Sequence, residues 1–173
     1  MGRPEIAADD EFQRAVLKSE FVPYYQLVMN IQTGEIEGCE MLARWIRADG
    51  TVVSPGQFMP YAETSEHIFE ITRQLMRKSR DELGKFYGEH PELKLSINLF
   101  AGHFDDRLIV EDVQDIFGKG PIRYEQLVFE VTERYPLRSI EKARKIMAEL
   151  RALGCGIALD DTGTGHGGLA YIQ

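Results

Sequence analysis

Cysteine is scarce in this chain: Cys39 and Cys155 are the two present among 173 residues. Two thiols cannot staple the framework of a small disulfide-rich secreted fold. Both sit in or beside predicted strands, where a free cysteine behaves as a small buried hydrophobe, so a reducing cytoplasm is the expected compartment. Histidine is sparse too. His67, His90, His103 and His166 show no zinc spacing, which with so little cysteine argues against a structural zinc site. Long apolar runs are absent, and no stretch approaches the ~20 residues that cross a bilayer. The start, Met1-Gly2-Arg3-Pro4-Glu5, has no apolar signal core behind it. A basic excess is also missing. With 20 Lys and Arg against 28 Asp and Glu, the net charge is −8, a poor match for the backbone of a nucleic-acid polymer. The chain has no G-x-S-x-G, no P-loop, no Ser-His-Asp set, no internal repeat and no low-complexity tract.

What is present is the composition of a folded domain: 43% apolar and 28% charged residues, in a length that allows one substantial core. A helix is expected over 9–19, with Asp9 or Asp10 as its cap. Phe-Val-Pro-Tyr-Tyr-Gln-Leu-Val-Met at 21–29 is rich in strand formers. The polar turn 30–34 leads directly to a second strand at 35–46, so these two form an antiparallel hairpin. Asp49-Gly50 and Ser54-Pro55-Gly56 read as turns. A long helix is predicted over 66–87, burying Ile68, Ile71, Leu75, Met76 and Leu83. The rhythm then becomes strand, helix, strand. Strands are expected at 94–99, 126–132 and 156–160. The segment 103–117 is mostly helical or irregular. A helix over 139–153 turns Ile140, Ala143, Ile146, Met147, Leu150 and Leu153 to one side and stops at Gly154. Strands alternating with helices build parallel βαβ units.

Four of these strands carry an acidic or amide side chain at or near the C-terminal end: Glu40, Asn98, Glu130, and the pair Asp160-Asp161. In a parallel barrel the strand C-termini converge on one face, which holds the active site. Carboxylates joined by one amide suit a hard divalent cation. Each residue also has an ordinary reading. Glu40 alone could be a solvated strand residue, Asn98 a satisfied core amide, and Asp160-Asp161 a cap or turn. The adjacent aspartates repel unless a cation or a shared proton relieves them. Glu130 follows the apolar Leu127-Val128-Phe129, so it emerges from the core at a strand tip. Gly163-Thr164-Gly165-His166-Gly167-Gly168 contains a literal G-x-G-x-x-G. Two aspartates directly before it would repel a pyrophosphate, and a flexible active-site loop is the better reading. A glycosidase using two of the carboxylates is a further alternative, but no aromatic sugar platform accompanies them.

The set as a whole resembles the EAL-domain family, the cyclic-di-GMP phosphodiesterases of bacterial signalling. The pieces that carry the resemblance run in order from Tyr25-Gln26 and Gly38-Cys39-Glu40-Met41-Leu42 with Arg44-Trp45, through Ser54-Pro55, Phe58-Met59-Pro60 and Ala62-Glu63. They continue with Ile97-Asn98-Leu99 and Glu130-Val131-Thr132-Glu133, and end at Asp160-Asp161-Thr162-Gly163-Thr164-Gly165. The resemblance implies an α/β fold, a TIM-like (β/α) barrel whose first strand runs antiparallel to the rest. A complete barrel needs about 200–250 residues, so residues 1–173 are expected to form a single EAL-type domain lacking the C-terminal part of the barrel.

By that resemblance Glu40, Asn98, Glu130, Asp160 and Asp161 ligate Mg²⁺ or Mn²⁺, two ions in a complete domain. Glu40, Asp160, Asp161 and Glu133 are the catalytic set, with Glu133 holding the loop that starts at Asp161. Arg44 contacts a substrate phosphate and Gln26 lies near a guanine. The chemistry agrees, since two metals about 4 Å apart activate water and stabilise attacking and leaving oxygens, and a guanidinium offers planar donors to phosphate. The implied product is linear pGpG. Several positions depart from the family pattern. Met41 stands where the name-giving motif has Ala, Leu27 follows the Gln in place of Pro, Glu66-His67 replaces Gly-Leu, Thr162 replaces Phe, and His166-Gly167-Gly168 replaces Tyr-Ser-Ser. The family's later lysine, a further glutamate and a glutamine fall beyond Gln173, so a chain ending there is expected to be inactive. The alternative is a non-catalytic module that binds cyclic-di-GMP or mediates dimerisation. Exposed sheet edges also predict a homodimer.

Overall fold

The computed structural model describes residues 5–63, 65–132, 137–160 and 170–171, with the backbone alone for 5–9, 132, 159–160 and 170–171. The chain divides into two compact units, one made of 1–24 and 43–78 and the other of 25–42 and 79–173.

The first unit is organised by rings. Helix α1 (Glu5–Leu17) delivers Phe12, which meets Phe21, Trp45, Phe58 and Tyr61 with ring centroids 4.9 to 6.5 Å apart. Phe12, Phe21, Trp45 and Phe58 are all buried, at roughly 1.5–3 kcal/mol of apolar transfer for each phenylalanine. Trp45 satisfies its indole N–H on Glu20 at 3.0 Å. It therefore belongs to the core, packed against Phe12 of α1 and against Phe58. The short strand β3 (Val52–Val53) pairs antiparallel with Trp45 and Ile46. Ser54-Pro55-Gly56, expected to be a turn, instead starts helix α2 (Pro55–Ala62). Ser54 is its N-cap, Pro55 occupies its first turn, and the Gln57 side chain reaches back to Ser54.

The second unit is a sheet covered by helices. Strand β1 (Phe21–Met29) supplies its C-terminal half here, and β2 (Ile36–Ile46) its N-terminal half. The link 30–35 is closed by Asn30 N–H donating to the Glu35 carbonyl at 2.9 Å. Such a link only reverses the chain, because a parallel pair needs a long crossover. The sheet continues through β4 (Lys94–Leu99), β5 (Leu127–Thr132) and β6 (Gly156–Asp160) in the order β1-β2-β4-β5-β6. β2, β4, β5 and β6 are parallel throughout. This is the α/β, TIM-like architecture with an antiparallel first strand. β7 (Ala170–Tyr171) adds antiparallel to β6, a pairing the sequence did not signal.

The crossovers are helices α3 (His67–Glu89), α4 (Leu108–Phe117) and α5 (Ile140–Leu153). α3 buries Ile68, Ile71, Leu75 and Met76 as its spacing requires, whereas Leu83, expected on the same buried stripe, is half-buried. α5 begins at Ser139, which accepts the Lys142 N–H, and ends at Gly154, whose φ of 110° is left-handed. Ala143, Ile146 and Leu150 are buried, whereas Ile140 is 63% exposed. It sits in the first turn, ahead of the stretch that packs. Among the described residues no helix is long and apolar enough to cross a membrane.

Candidate functional site

The apolar runs of β4 and β5 fix where the polar side chains emerge. Leu95, Ile97 and Leu99 are fully buried, as are Leu127 and Phe129. The strand period of two leaves Ser96 and Asn98 on the other face of β4, and Glu130 on the matching face of β5. The register then aligns these positions, although Glu40, expected near the end of its strand, lies midway along β2. Glu40 is the Cα partner of Ser96, Asn98 of Glu130, and Thr132 of Asp160. Paired residues of parallel strands present side chains to the same face, so Glu40, Asn98 and Glu130 share one face at the C-terminal end of the sheet.

Two of them touch. Asn98 Nδ2 donates to Glu40 Oε1 at 2.8 Å, across residues 58 apart in sequence. All three side chains are half-buried. The contact orients the amide with its nitrogen on the carboxylate, leaving Asn98 Oδ1 as the acceptor that a hard cation takes. Among the described residues, no group of three or more His, Cys, Asp and Glu side chains is placed to hold a metal ion. The set assembled here is two carboxylates and an amide, and its donor chemistry fits a hard divalent ion rather than zinc or copper. Asp160 ends β6 beside this set by backbone register, and its side chain is not described. Asp161, Glu133 and the glycine-rich 163–168 lie outside the described residues.

Gln26 stands in β1 and is exposed. Its neighbour Tyr25 contacts Ser79 and Glu82 of α3, so alternation turns Gln26 away from that helix, the direction that Glu40 also takes. Arg44 lies in the first unit. There its Nη1 donates to the Ala43 carbonyl at 2.8 Å and its guanidinium covers the Tyr24 ring at 5.4 Å.

Support for the set comes from residues with no motif of their own. The buried His103 closes the turn after β4 by accepting the Phe100 N–H on Nδ1 at 3.1 Å. Burial takes its pKa down to about 4, against opposing contributions from Phe100 and Asp106, so the ring is neutral at physiological pH. Tyr87 and Ser79 of α3 contact the residues flanking Glu40. Helical spacing marked α3 as buried, but nothing in the sequence says which strand it covers.

A family model described as the EAL domain matches residues 9–173. The chain belongs to the EAL domain family. Relatives of this EAL chain include the probable cyclic di-GMP phosphodiesterase PdeG of Escherichia coli, 36% identical over 95% of this chain and 33% of its own length. They also include the cyclic di-GMP phosphodiesterase PdeL of the same organism, 34% identical over 97% of this chain and 47% of its own length. This chain therefore spans less than half the length of either relative. Among solved structures, the PaMucR phosphodiesterase in complex with c-di-GMP superposes with a TM-score of 0.80 at 27% identity, over 94% of this chain and 66% of that one.

Proposed function

We propose that this EAL domain is a cyclic-di-GMP-specific phosphodiesterase domain that hydrolyses its substrate to linear pGpG with divalent metal. The observation that carries the reading is the Asn98–Glu40 contact at 2.8 Å, with Glu130 in register beside Asn98. The naming of both E. coli relatives supports it. Glu40, Asn98, Glu130, Asp160 and Asp161 would hold Mg²⁺ or Mn²⁺, which when bound lowers the pKa of water and offsets charge on the phosphate. Each residue then has a task. The amide of Asn98 adds a neutral donor and fixes the Glu40 carboxylate. Asp160 and Asp161, adjacent like charges, are relieved by a shared cation. Glu133 holds the loop that begins at Asp161, Arg44 binds a phosphate through its planar donors, and Gln26 lies near a guanine. Attack of water on one phosphorus breaks one P–O3′ bond, and the leaving oxygen takes up a proton. One of the two phosphodiesters stays intact, which yields the linear dinucleotide.

The edge strand β1 exposes Leu27 and Met29, and an open apolar edge favours pairing. We include a homodimer in the proposal, to be checked by sedimentation at micromolar concentration.

The deciding experiment incubates the purified chain with cyclic-di-GMP and Mn²⁺, with and without chelator, and follows binding and product separately. Chelator-sensitive pGpG is the expected result. Tight binding with no product would replace the enzyme by a receptor, and a folded chain that does neither would overturn both readings.

A further inference from the structure

Helix α3 reaches strand β2 at the residues directly before and after Glu40. Tyr87 is 2% exposed, and its hydroxyl donates its single proton to the Lys94 carbonyl at 2.9 Å. Cys39 Sγ lies 3.2 Å from the same hydroxyl oxygen, so in this pair the thiol is the donor. Ser79, fully buried, donates to Met41 Sδ at 3.1 Å. Cys39 and Met41 therefore face α3, and the pleat sends Glu40 to the opposite face. Gly38 tightens the same junction. Its φ is +153°, and a Cβ there would lie 1.8 Å from the Lys94 oxygen, the atom Tyr87 binds. On the far face Asn98 holds the Glu40 carboxylate. The strand is thus gripped on both sides of one residue from one face, and that residue's own side chain is gripped on the other.

We propose that Tyr87 and Ser79 are positioning residues for Glu40: by anchoring Cys39 and Met41 to α3 they set the rotation of β2 and aim the carboxylate at Asn98. The functional weight of this rests on Glu40 being a metal ligand, as proposed above. A carboxylate stands several bonds out from its strand, so a small strand rotation becomes a displacement of the size that spoils a metal site. Groups that orient ligands typically alter metal affinity by about 10–100-fold.

The test reads the two layers separately. In the metal-free chain, the Asn98 side-chain amide resonances in a ¹⁵N spectrum report its bond to Glu40, and Glu40→Ala marks the unbonded position. Tyr87→Phe and Ser79→Ala should each move those resonances part of the way towards that position, and the double variant further. Tyr124→Phe, which removes a hydroxyl placed beside Gly118, should leave them in place. By Mn²⁺ electron paramagnetic resonance, Tyr87→Phe should bind the ion about tenfold more weakly than the parent. Lower thermal midpoints with the Asn98 amide unmoved in both single variants would overturn the proposal, making both residues packing alone. Moved resonances in a chain that binds no Mn²⁺ would uphold the positioning and remove the metal reading instead.

Discussion

Two amide side chains, one at each end of the parallel strands, show how this sheet separates architecture from chemistry. Gln126 sits just ahead of β5 and is 1% exposed. Its Nε2 lies within 3.3 Å of the carbonyls of Tyr87, His90 and Leu93, and its Oε1 accepts the Arg123 N–H at 3.0 Å. Every partner is backbone, so Gln126 replaces the water that loop carbonyls would otherwise need. Asn98, at the other end, is half-buried and bonded to the carboxylate of a different strand. The lesson is in the partner. An amide spent on backbone holds the fold, whereas an amide spent on a carboxylate is free of that duty, which is what the role proposed for Asn98 requires. Barrels divide their two ends in this way, stability at the strand N-termini and activity at the C-termini.

The sharpest way to break the comparison is at Glu40. Glu40→Ala should weaken Mn²⁺ binding by about 100-fold or more and abolish metal-dependent product, with its thermal midpoint within a few degrees of the parent. Calorimetric titration and a product assay on the same preparation check this. A variant that unfolds instead would mean the C-terminal end is architectural after all. At the opposite end, Gln126→Ala should lower unfolding free energy by about 3 kcal/mol, since it strands several buried backbone groups, and leave Mn²⁺ affinity unchanged. Urea denaturation measures the first and titration the second.

His103 gives an intermediate case, an architectural residue at the C-terminal end of the parallel strands. Its pKa is depressed in the fold, to about 4, from about 6.5 in the unfolded chain. The unfolded state therefore binds more protons below pH 6.5, and stability falls as pH drops from there towards 4. At pH 5 the loss is about 2 kcal/mol relative to pH 7.5. His103→Asn, which keeps an acceptor for Phe100, should lack this loss in paired urea titrations at the two pH values. The smallest expected effect is at Asn98 itself. Asn98→Ala removes a neutral donor and should cost about tenfold in Mn²⁺ affinity, with a lower cost in stability than Gln126→Ala.

Much of this was legible because period and punctuation agree. The strands at 21–29, 94–99 and 156–160 stand as read, and the other long elements differ by a few residues at their ends. Where local signals conflicted, the reading failed. Gly56 and Pro60 disguised α2, although Ser54 as cap, Pro55 behind it and Gln57 three residues on form a helix start. Ile140 matched the apolar period of α5 yet stands outside its packed turns. Asn98, Glu130 and Asp160 could be identified because each stands at or near the end of a short strand with apolar neighbours, whereas Glu40 lies midway along β2 and joins them through register. The Asn98–Glu40 bond could not, because register is set by packing over the whole strand. Nor could the roles of Tyr87 and Ser79, which exist only once α3 lies on β2.

The two cysteines have a use that their scarcity makes possible. Cys39 lies within β2, and Cys155 directly precedes β6. Both are buried free thiols. Burial, helped by Glu125, pushes Cys155 up to about 12, and burial also raises Cys39. A thiol reacts as its thiolate, so neither should be alkylated while its strand is seated. Each is a clock for one strand. The mass gained with time in an alkylating reagent counts how often β2 or β6 opens, one modification site per strand, with no label to install and no third cysteine to confuse the count.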